Sequence, residues 1–483
     1  MILSRANQWH SRLAAAVLFL ACSCAARAAA PAVGKSVRPV PAGLPIPQAP
    51  ASPKSAILLL ADGLSWGQLQ LALDDAHARG ARLALEDILD AGHTAYCQTA
   101  PLGALVVESG AGASAISGGA RVANRTLAQL PDGTVVPGIL ELARAAGKST
   151  GLVTTGRLTH ATPAGFLSHR PLRDDEYAIA DQIVASGHDV LLGGGRAYFL
   201  PSAVAKARAG GAAVIFHEDE LEKAPAGKLL GLLSEDSFPY AIDGESGPGR
   251  EAVPSLERMT KLALERLSRN AKGFVLVVDS RLVDELSHYH DAGGVLAEMG
   301  RTDRTASLLR DFAKAHPDTE LVVTTNHDTA GMGMEWQATP ARFGGPEELS
   351  RLRGQKASFS AMLTEVHRRE LAGEKRDGAL VRSVVAPQLA SGVSLGDKDY
   401  ESVAKAFLIG PKGDAFAWSP AIHALARALE PAYLMSWNTG THTSSAVPCF
   451  GMGPGTEALR GLLHNTAISG VLKAVLSTPT AHQ

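Results

Sequence analysis

Apolar residues along this chain come in short continuous runs rather than in strict alternation. Ser55–Ala61 (SAILLLA), residues 273–278 (GFVLVV) and residues 321–325 (LVVTT) are the clearest. Uninterrupted runs of this length predict strands buried on both faces, as in a parallel sheet covered by helices. Segments with helical period lie between them. Residues 136–146 are stopped by Gly147, and residues 173–186 open on acids that suit the positive end of a helix dipole. Residues 254–269 and 295–315 each lead into an apolar run. Residues 150–154, 190–192 and 446–452 supply further strands. This alternation predicts an α/β fold, a three-layer α/β/α sandwich with a central, mostly parallel sheet. The pattern fades after Met332 and returns past Ser436. Residues 334–436, with Trp336 and Trp418, are therefore expected to form a helical, loop-rich cap insertion. Residues 55–333 and 437–475 make the domain that it interrupts.

The 483 residues, 46% hydrophobic and 19% charged, suffice for a large covered core. A net charge of −2 gives no electrostatic case for nucleic acid. Near the start, Arg5 and Arg12 precede an apolar stretch at 13–21 (LAAAVLFLA) that is too short to span a bilayer. Ala26-Arg27-Ala28 and Ala28-Ala29-Ala30 offer small-residue cleavage sites. Residues 1–28 are thus expected to be a secretory signal and 29–54 a Pro-rich linker. A lipoprotein signal ending at Cys22 competes, but Phe19-Leu20-Ala21 is a poor lipobox. The expectation is an exported protein, periplasmic or extracellular, with no integral membrane segment once the signal is removed. Cys97 and Cys449 then remain, and one bridge or two buried thiols are both open.

Chemistry gathers where the apolar runs end. Asp62, Asp279 and the pair Asn326-His327 follow the three strongest runs, with Asp284 and His288 just beyond Asp279. Ligands bind beyond the carboxyl ends of such strands. Asp284 and His288, four apart, share a helix face, and with the distant His442 they would make a zinc site with an open position. A surface Asp–His pair is the competing reading. Ser109 stops an apolar run ahead of a small-residue helix, where free backbone N–H groups suit a phosphate. An ordinary helix cap, the commoner role for such a serine, is the competing reading. Arg173 can fork two phosphoryl oxygens, or pair at the surface with Asp174 or Asp175. The chain has no G-x-S-x-G elbow for a lipase-type triad, and neither Cys97 (CQTAP) nor Cys449 (CFGMG) supplies a sulfatase Cys-x-Pro-x-Arg.

Five segments make the pattern specific: LLLADGLSWG, GKSTGLVTTGRLTHATPAGFLSHRPLRDDE, DVLLGGGRAYF, PSLERMTKLALERL and GTHTSSAVPCFGMGPG. From about Ser55 to about Ile468 the chain resembles the alkaline phosphatase family. The resemblance implies Ser109 as the nucleophile that becomes phosphoserine and Arg173 as the phosphate clamp. It implies Asp284, His288 and His442 as ligands of one zinc, and Asp62, Asn326 and His327 as ligands of a second. Asp62 would also reach a third site, usually magnesium, with Thr162 and Asp279, and His160 would stand beside it. The family carries an Asp where this chain has Asn326, a Glu where it has Asp279, and an Asp where it has Glu108. The implied activity is hydrolysis of small-molecule phosphate monoesters, with two zinc ions and one magnesium, in a family whose members are often homodimers. The three substitutions admit two alternatives: a degenerate member that binds metal or phosphate but turns over poorly, and a phosphodiesterase of the same superfamily.

Overall fold

The computed structural model describes residues 53–244, 252–338, 341–407 and 419–476. The expected signal, most of the linker and Trp418 lie outside the described residues. The ten strands β1 (Ser55–Ala61), β2 (His93–Gln98), β3 (Ser149–Arg157), β4 (Val190–Gly194), β5 (Ala213–Ile215), β6 (Leu229–Leu232), β7 (Phe274–Ser280), β8 (Thr319–Thr324), β9 (Val447–Met452) and β10 (Gly461–His464) form one sheet. Its order is β10-β2-β9-β8-β1-β7-β3-β4-β6-β5, and β9 alone runs against its neighbours. The three strongest apolar runs are adjacent at the centre. Leu60 of β1 pairs with Asp279 of β7 on one side and with Thr324 of β8 on the other. Parallel strands in this register end in one row, so whatever follows each strand meets the others.

Every residue of β1 is buried because helices cover both sides. Ile57, Leu59 and Ala61 point into one hydrophobic cluster, and Ala56, Leu58 and Leu60 into the other. Six helices bear on the site: α1 (Trp66–Ala78), α2 (Ser109–Gly118), α3 (Ala161–Leu167), α4 (Leu282–His288), α5 (Ala292–Ala315) and α6 (Phe359–Leu371). Among the described residues no helix is long and apolar enough to cross a membrane.

The segment expected to be an insertion is mostly helical, and its Leu349, Phe359, Met362 and Leu425 join the same cluster as Ile57. Asp291, the N-cap of α5, fastens it. Its buried carboxylate accepts from Gly294 N (2.9 Å), Gln355 Nε2 (2.7 Å) and Phe359 N (2.7 Å). Asp291→Ala would leave Phe359 N buried without its acceptor, while Gln355 Nε2 would keep the Ala357 carbonyl at 3.0 Å. It is expected to cost about 1–3 kcal/mol, read as a lower urea midpoint with unchanged m-value. Trp336 is exposed and stacks on Phe343, while Trp437 stacks flat on His290 at 4.9 Å.

Elements without a continuous apolar run were not legible beforehand. β2 is an example: only Ala95 and Cys97 in it are buried, and Tyr96 faces outward. The helix expected from residue 173 begins at Glu176, capped by Asp175, so Arg173 lies in the loop before it. Cys97 and Cys449 are both buried and free, on neighbouring strands. A hydrogen bond from the Cys97 thiol to the Cys449 sulfur, with burial, pushes the Cys97 thiol up.

Candidate active site

The row of strand ends puts Asp62 after β1, Asp279 within the end of β7, and Asn326-His327 after β8, all buried. The turn after Asp62 packs hard against α4. Gly63 has φ +75°, and a Cβ there would meet the Asp284 Cα at 2.7 Å. Gly112 serves α2 in the same way, since a Cβ would meet the Asn326 carbonyl oxygen at 2.7 Å. These two contacts bring α4 and α2 onto the strand ends. A two-residue antiparallel ladder, with His442 opposite Thr329 and Thr443 opposite Asp328, returns the distant His442 to the group.

Ser109 is the first residue of α2, but it does not cap it. Glu108 does, accepting from Gly110 N (3.0 Å) and Ala111 N (2.6 Å). The cap reading of Ser109 therefore fails, and its hydroxyl is free for other work. It lies 3.0 Å from His327 Nε2. Glu108 also pairs with Arg173 Nη1, and this outweighs burial to hold the carboxyl below its usual range. Arg173 is half-buried, with Asp174 only at 3.9 Å, so the surface-pair reading gives way to one in which Glu108 aims the guanidinium. His160 Nε2 is 3.5 Å from Arg173 Nη2. Burial, then Arg281 and Arg173, pushes this imidazole well below its ordinary value, so it is neutral.

Asp284, His288 and His442 converge. His288 Nε2 is 3.4 Å from Asp284 Oδ1, His442 Nε2 is 3.7 Å from the same oxygen, and the two nitrogens are 3.2 Å apart. Bonds of about 2.0–2.2 Å in a tetrahedral shell separate neighbouring ligand atoms by roughly 3.3–3.6 Å. The second imidazole turns inward by the same means as the first: His442 Nδ1 faces the Val107 carbonyl (2.8 Å) and His288 Nδ1 the Gly440 carbonyl (2.9 Å). A backbone acceptor at Nδ1 fixes the tautomer and leaves the Nε2 lone pair outward. His327 Nδ1 similarly meets Thr329 Oγ1 at 3.1 Å. His327 Nε2 lies 3.4 Å from Asp62 Oδ1. Ligand atoms of Asp284, His327 and His442 all lie within 4.8 Å of one another, so the two groups adjoin. Burial, with His442 beside it, lowers His327 well below its ordinary value, and burial lowers His442 as well. Neutral imidazoles are what a metal needs.

The remaining expected residues are nearby but engaged with one another. Thr162 Oγ1 donates to Asp62 Oδ2 at 2.6 Å. Asn326 Nδ2 donates to Thr162 Oγ1 at 3.2 Å, while its Oδ1 accepts from His327 N (3.1 Å) and Thr325 Oγ1 (3.2 Å). The His327 carbonyl, at 3.0 Å, competes for the one Thr325 proton, so His327 N is the steady donor to that amide oxygen. Asp279 Oδ2 accepts from Thr154 at 2.7 Å and Oδ1 has no hydrogen bond. Burial, then Asp62, pushes the Asp279 carboxyl well up.

Arg281 was not anticipated. It sits between Asp279 and Asp284, is buried, and reaches Asp62, Asp284 and Glu285. The sequence signal was weak: an arginine at a strand end, three residues before a carboxylate on the next helix, is ordinarily a surface arrangement. Ser109, Arg173, His160, Arg281 and His442 open onto one cleft of about 960 Å³. Its far wall includes Ser360, Thr364 and Glu365 of α6, from the segment expected as the cap.

Residues 53–478 match a family model described as alkaline phosphatase. The chain is 29% identical over 385 residues to "Alkaline phosphatase 3" of Bacillus subtilis (strain 168), covering 77% of each chain. It is 31% identical over 349 residues to the "Streptomycin-6-phosphate phosphatase" of Streptomyces griseus, covering 60% of this chain and 77% of that one. Among solved structures, Thermus thermophilus alkaline phosphatase superposes with a TM-score of 0.78 at 31% identity, over 88% of this chain and 92% of that one.

Proposed function

The chain belongs to the alkaline phosphatase family of metal-dependent phosphomonoester hydrolases, and from this premise we propose that it is an exported phosphatase working through a Ser109 phosphoserine with two zinc ions. Small-molecule phosphate monoesters are the proposed substrates, with residues 334–436 as the cap that walls the cleft. Export is proposed on the segment at 1–28, and a homodimer on the habit of the family.

The observation that carries this reading is the position of the Ser109 hydroxyl, 3.0 Å from an imidazole that adjoins a carboxylate–imidazole cluster with tetrahedral spacing. The donor set suits zinc: nitrogen and carboxylate oxygen, with Asp62 Oδ1 buried and lacking any hydrogen bond. Asp284, His288 and His442 would hold one ion. Asp62 and His327 would hold the second, and Asn326 could join them once Thr325 turns its proton to the His327 carbonyl. Bound zinc supplies Lewis acidity, lowering the pKa of a bound hydroxyl or water and neutralising developing charge.

The chain's own groups do the rest. The start of α2 presents Ser109 Oγ toward the cleft with backbone N–H groups behind it. Arg173, aimed by Glu108, forks two oxygens of the phosphoryl group as charge spreads over it. Attack by Ser109 Oγ on phosphorus expels the ester oxygen and forms phosphoserine. Water then attacks the same phosphorus from the side the alcohol left, returning the hydroxyl and releasing phosphate. Neutral His160 fills the gap behind Arg173 without adding charge.

The third site fits magnesium poorly. The Arg281 guanidinium already stands beside the oxygen such an ion would need, with Nε 3.7 Å from the Asp62 Oδ2 that also accepts from Thr162, although Asp279, tied to Thr154 through Oδ2, keeps an Oδ1 with no hydrogen bond.

One assay separates the readings. Purified protein should contain two zinc ions, hydrolyse a nitrophenyl monoester faster than the matching diester by roughly a hundredfold or more, and lose activity on chelation. A preference for the diester would favour the phosphodiesterase. A folded protein with zinc-binding but negligible turnover would favour the degenerate member that Asn326 suggests.

A further inference from the structure

Arg281 stands at the start of α4 with its backbone N–H donating to Thr155 Oγ1 at 3.1 Å. Its stem is pressed against Gly156, where a Cβ would meet the Arg281 Cγ at 2.8 Å. The guanidinium lies against His160, with Nε 3.1 Å from Nδ1 and Nη2 3.2 Å from Nε2. From there it spans two carboxylates. Nε is 3.7 Å from Asp62 Oδ2, and Nη1 is 3.4 Å from Asp284 Oδ2 while making no hydrogen bond. These carboxylates belong to different zinc groups. Each turns its Oδ1 to imidazoles, Asp62 to His327 and Asp284 to His288 and His442, and its Oδ2 to Arg281.

That Oδ2 of Asp62 is where a third cation would bind. A divalent ion on it would lie within about 6 Å of the guanidinium, two cations sharing one carboxylate in a buried setting. The oxygen already has its partners, Thr162 Oγ1 and Arg281. We propose that the Arg281 guanidinium takes the place of the third divalent cation, locking Asp62 and Asp284 in their zinc-binding orientations and leaving a two-metal enzyme that neither binds nor requires magnesium. Arg281 is a positioning residue, acting through the two carboxylates. Its planar fork suits this task, since one rigid group meets two acceptors at fixed spacing. The proposal rests on the two-zinc phosphatase reading.

Elemental analysis and calorimetry on the purified wild-type protein give the first test. Two zinc ions per chain, no stoichiometric magnesium after dialysis against millimolar magnesium chloride, and no heat of magnesium binding are expected, with the hydrolysis rate unchanged by that salt. The second test is Arg281→Met, which keeps the bulk and removes the charge. Zinc affinity, measured by chelator competition, should fall by roughly tenfold to a hundredfold, and Arg281→Lys should recover part of it. Circular dichroism checks that both variants fold. One equivalent of magnesium bound by the active two-zinc wild type overturns this proposal alone, as does Arg281→Met with undiminished zinc affinity. A wild-type protein that binds no zinc overturns the phosphatase reading as well.

Discussion

Ser109→Ala lowers kcat for a phosphate monoester by roughly 10³-fold or more, with zinc content and fold unchanged. The expectation rests on which residue caps α2. If Ser109 were the cap, its loss would cost stability and leave chemistry intact. Glu108 makes both cap hydrogen bonds instead, and the partner of the serine hydroxyl is His327 Nε2. Deleting the hydroxyl should therefore cost no more than the one hydrogen bond to His327, about 0.5–1.5 kcal/mol. It should also abolish the acid-stable phosphate that the proposed mechanism expects quenched wild-type enzyme to retain on one serine. Preserved turnover beside a lowered unfolding midpoint would return Ser109 to a structural role and remove the phosphoserine mechanism.

How far the sequence reached can be traced residue by residue. The central strands were legible because burial on both faces leaves no polar position between Ala56 and Ala61 or between Phe274 and Val278. The row of site residues followed, since parallel strands in register end together. β2 and β10 were hidden at the sheet margin, where one face is exposed and the apolar run dissolves into HTAYCQ and GLLH. The tautomers of His288 and His442 were equally hidden. They depend on the Gly440 and Val107 carbonyls, contacts that span more than 150 residues of chain and have no local signature. The local sequence left Ser109 open as an ordinary helix cap, because Glu is not a favoured N-cap; only the hydrogen bonds show that Glu108 caps α2. Arg281 was overlooked for a related reason. Arginine beside acidic residues is ordinarily a surface group, and only its burial among Asp62, Asp284 and His160 marks it out.

Asp62→Asn has opposite effects on the metal-free and zinc-loaded protein. Burial, then the Asp284 carboxylate, raises Asp62 from its ordinary 3.8 to about 6. A carboxyl with a folded pKa above its unfolded one binds its proton more tightly in the native state. Its contribution to stability therefore declines as pH rises from about 4 through about 6, and the full penalty stands at pH 8. A shift of about two units is worth about 3 kcal/mol. An amide carries no charge to desolvate. Its oxygen can still accept from Thr162 Oγ1, and its N–H can face His327 Nε2, which lies 3.4 Å from the present Oδ1. Part of the penalty returns through lost attraction to Arg281, leaving metal-free Asp62→Asn about 1–3 kcal/mol more stable than wild type at pH 8. With zinc the proposed two-metal site predicts the reverse order, because the second ion would lose its charged ligand and wild type alone would gain the full stabilisation of metal binding. Activity falls with it, by roughly 10²-fold or more. Urea unfolding at pH 8 with chelator and then with zinc reads both signs. A variant weaker than wild type under both conditions would mean that the Asp62–Arg281 attraction exceeds the cost of burial, and that the carboxylate serves the fold before it serves a metal.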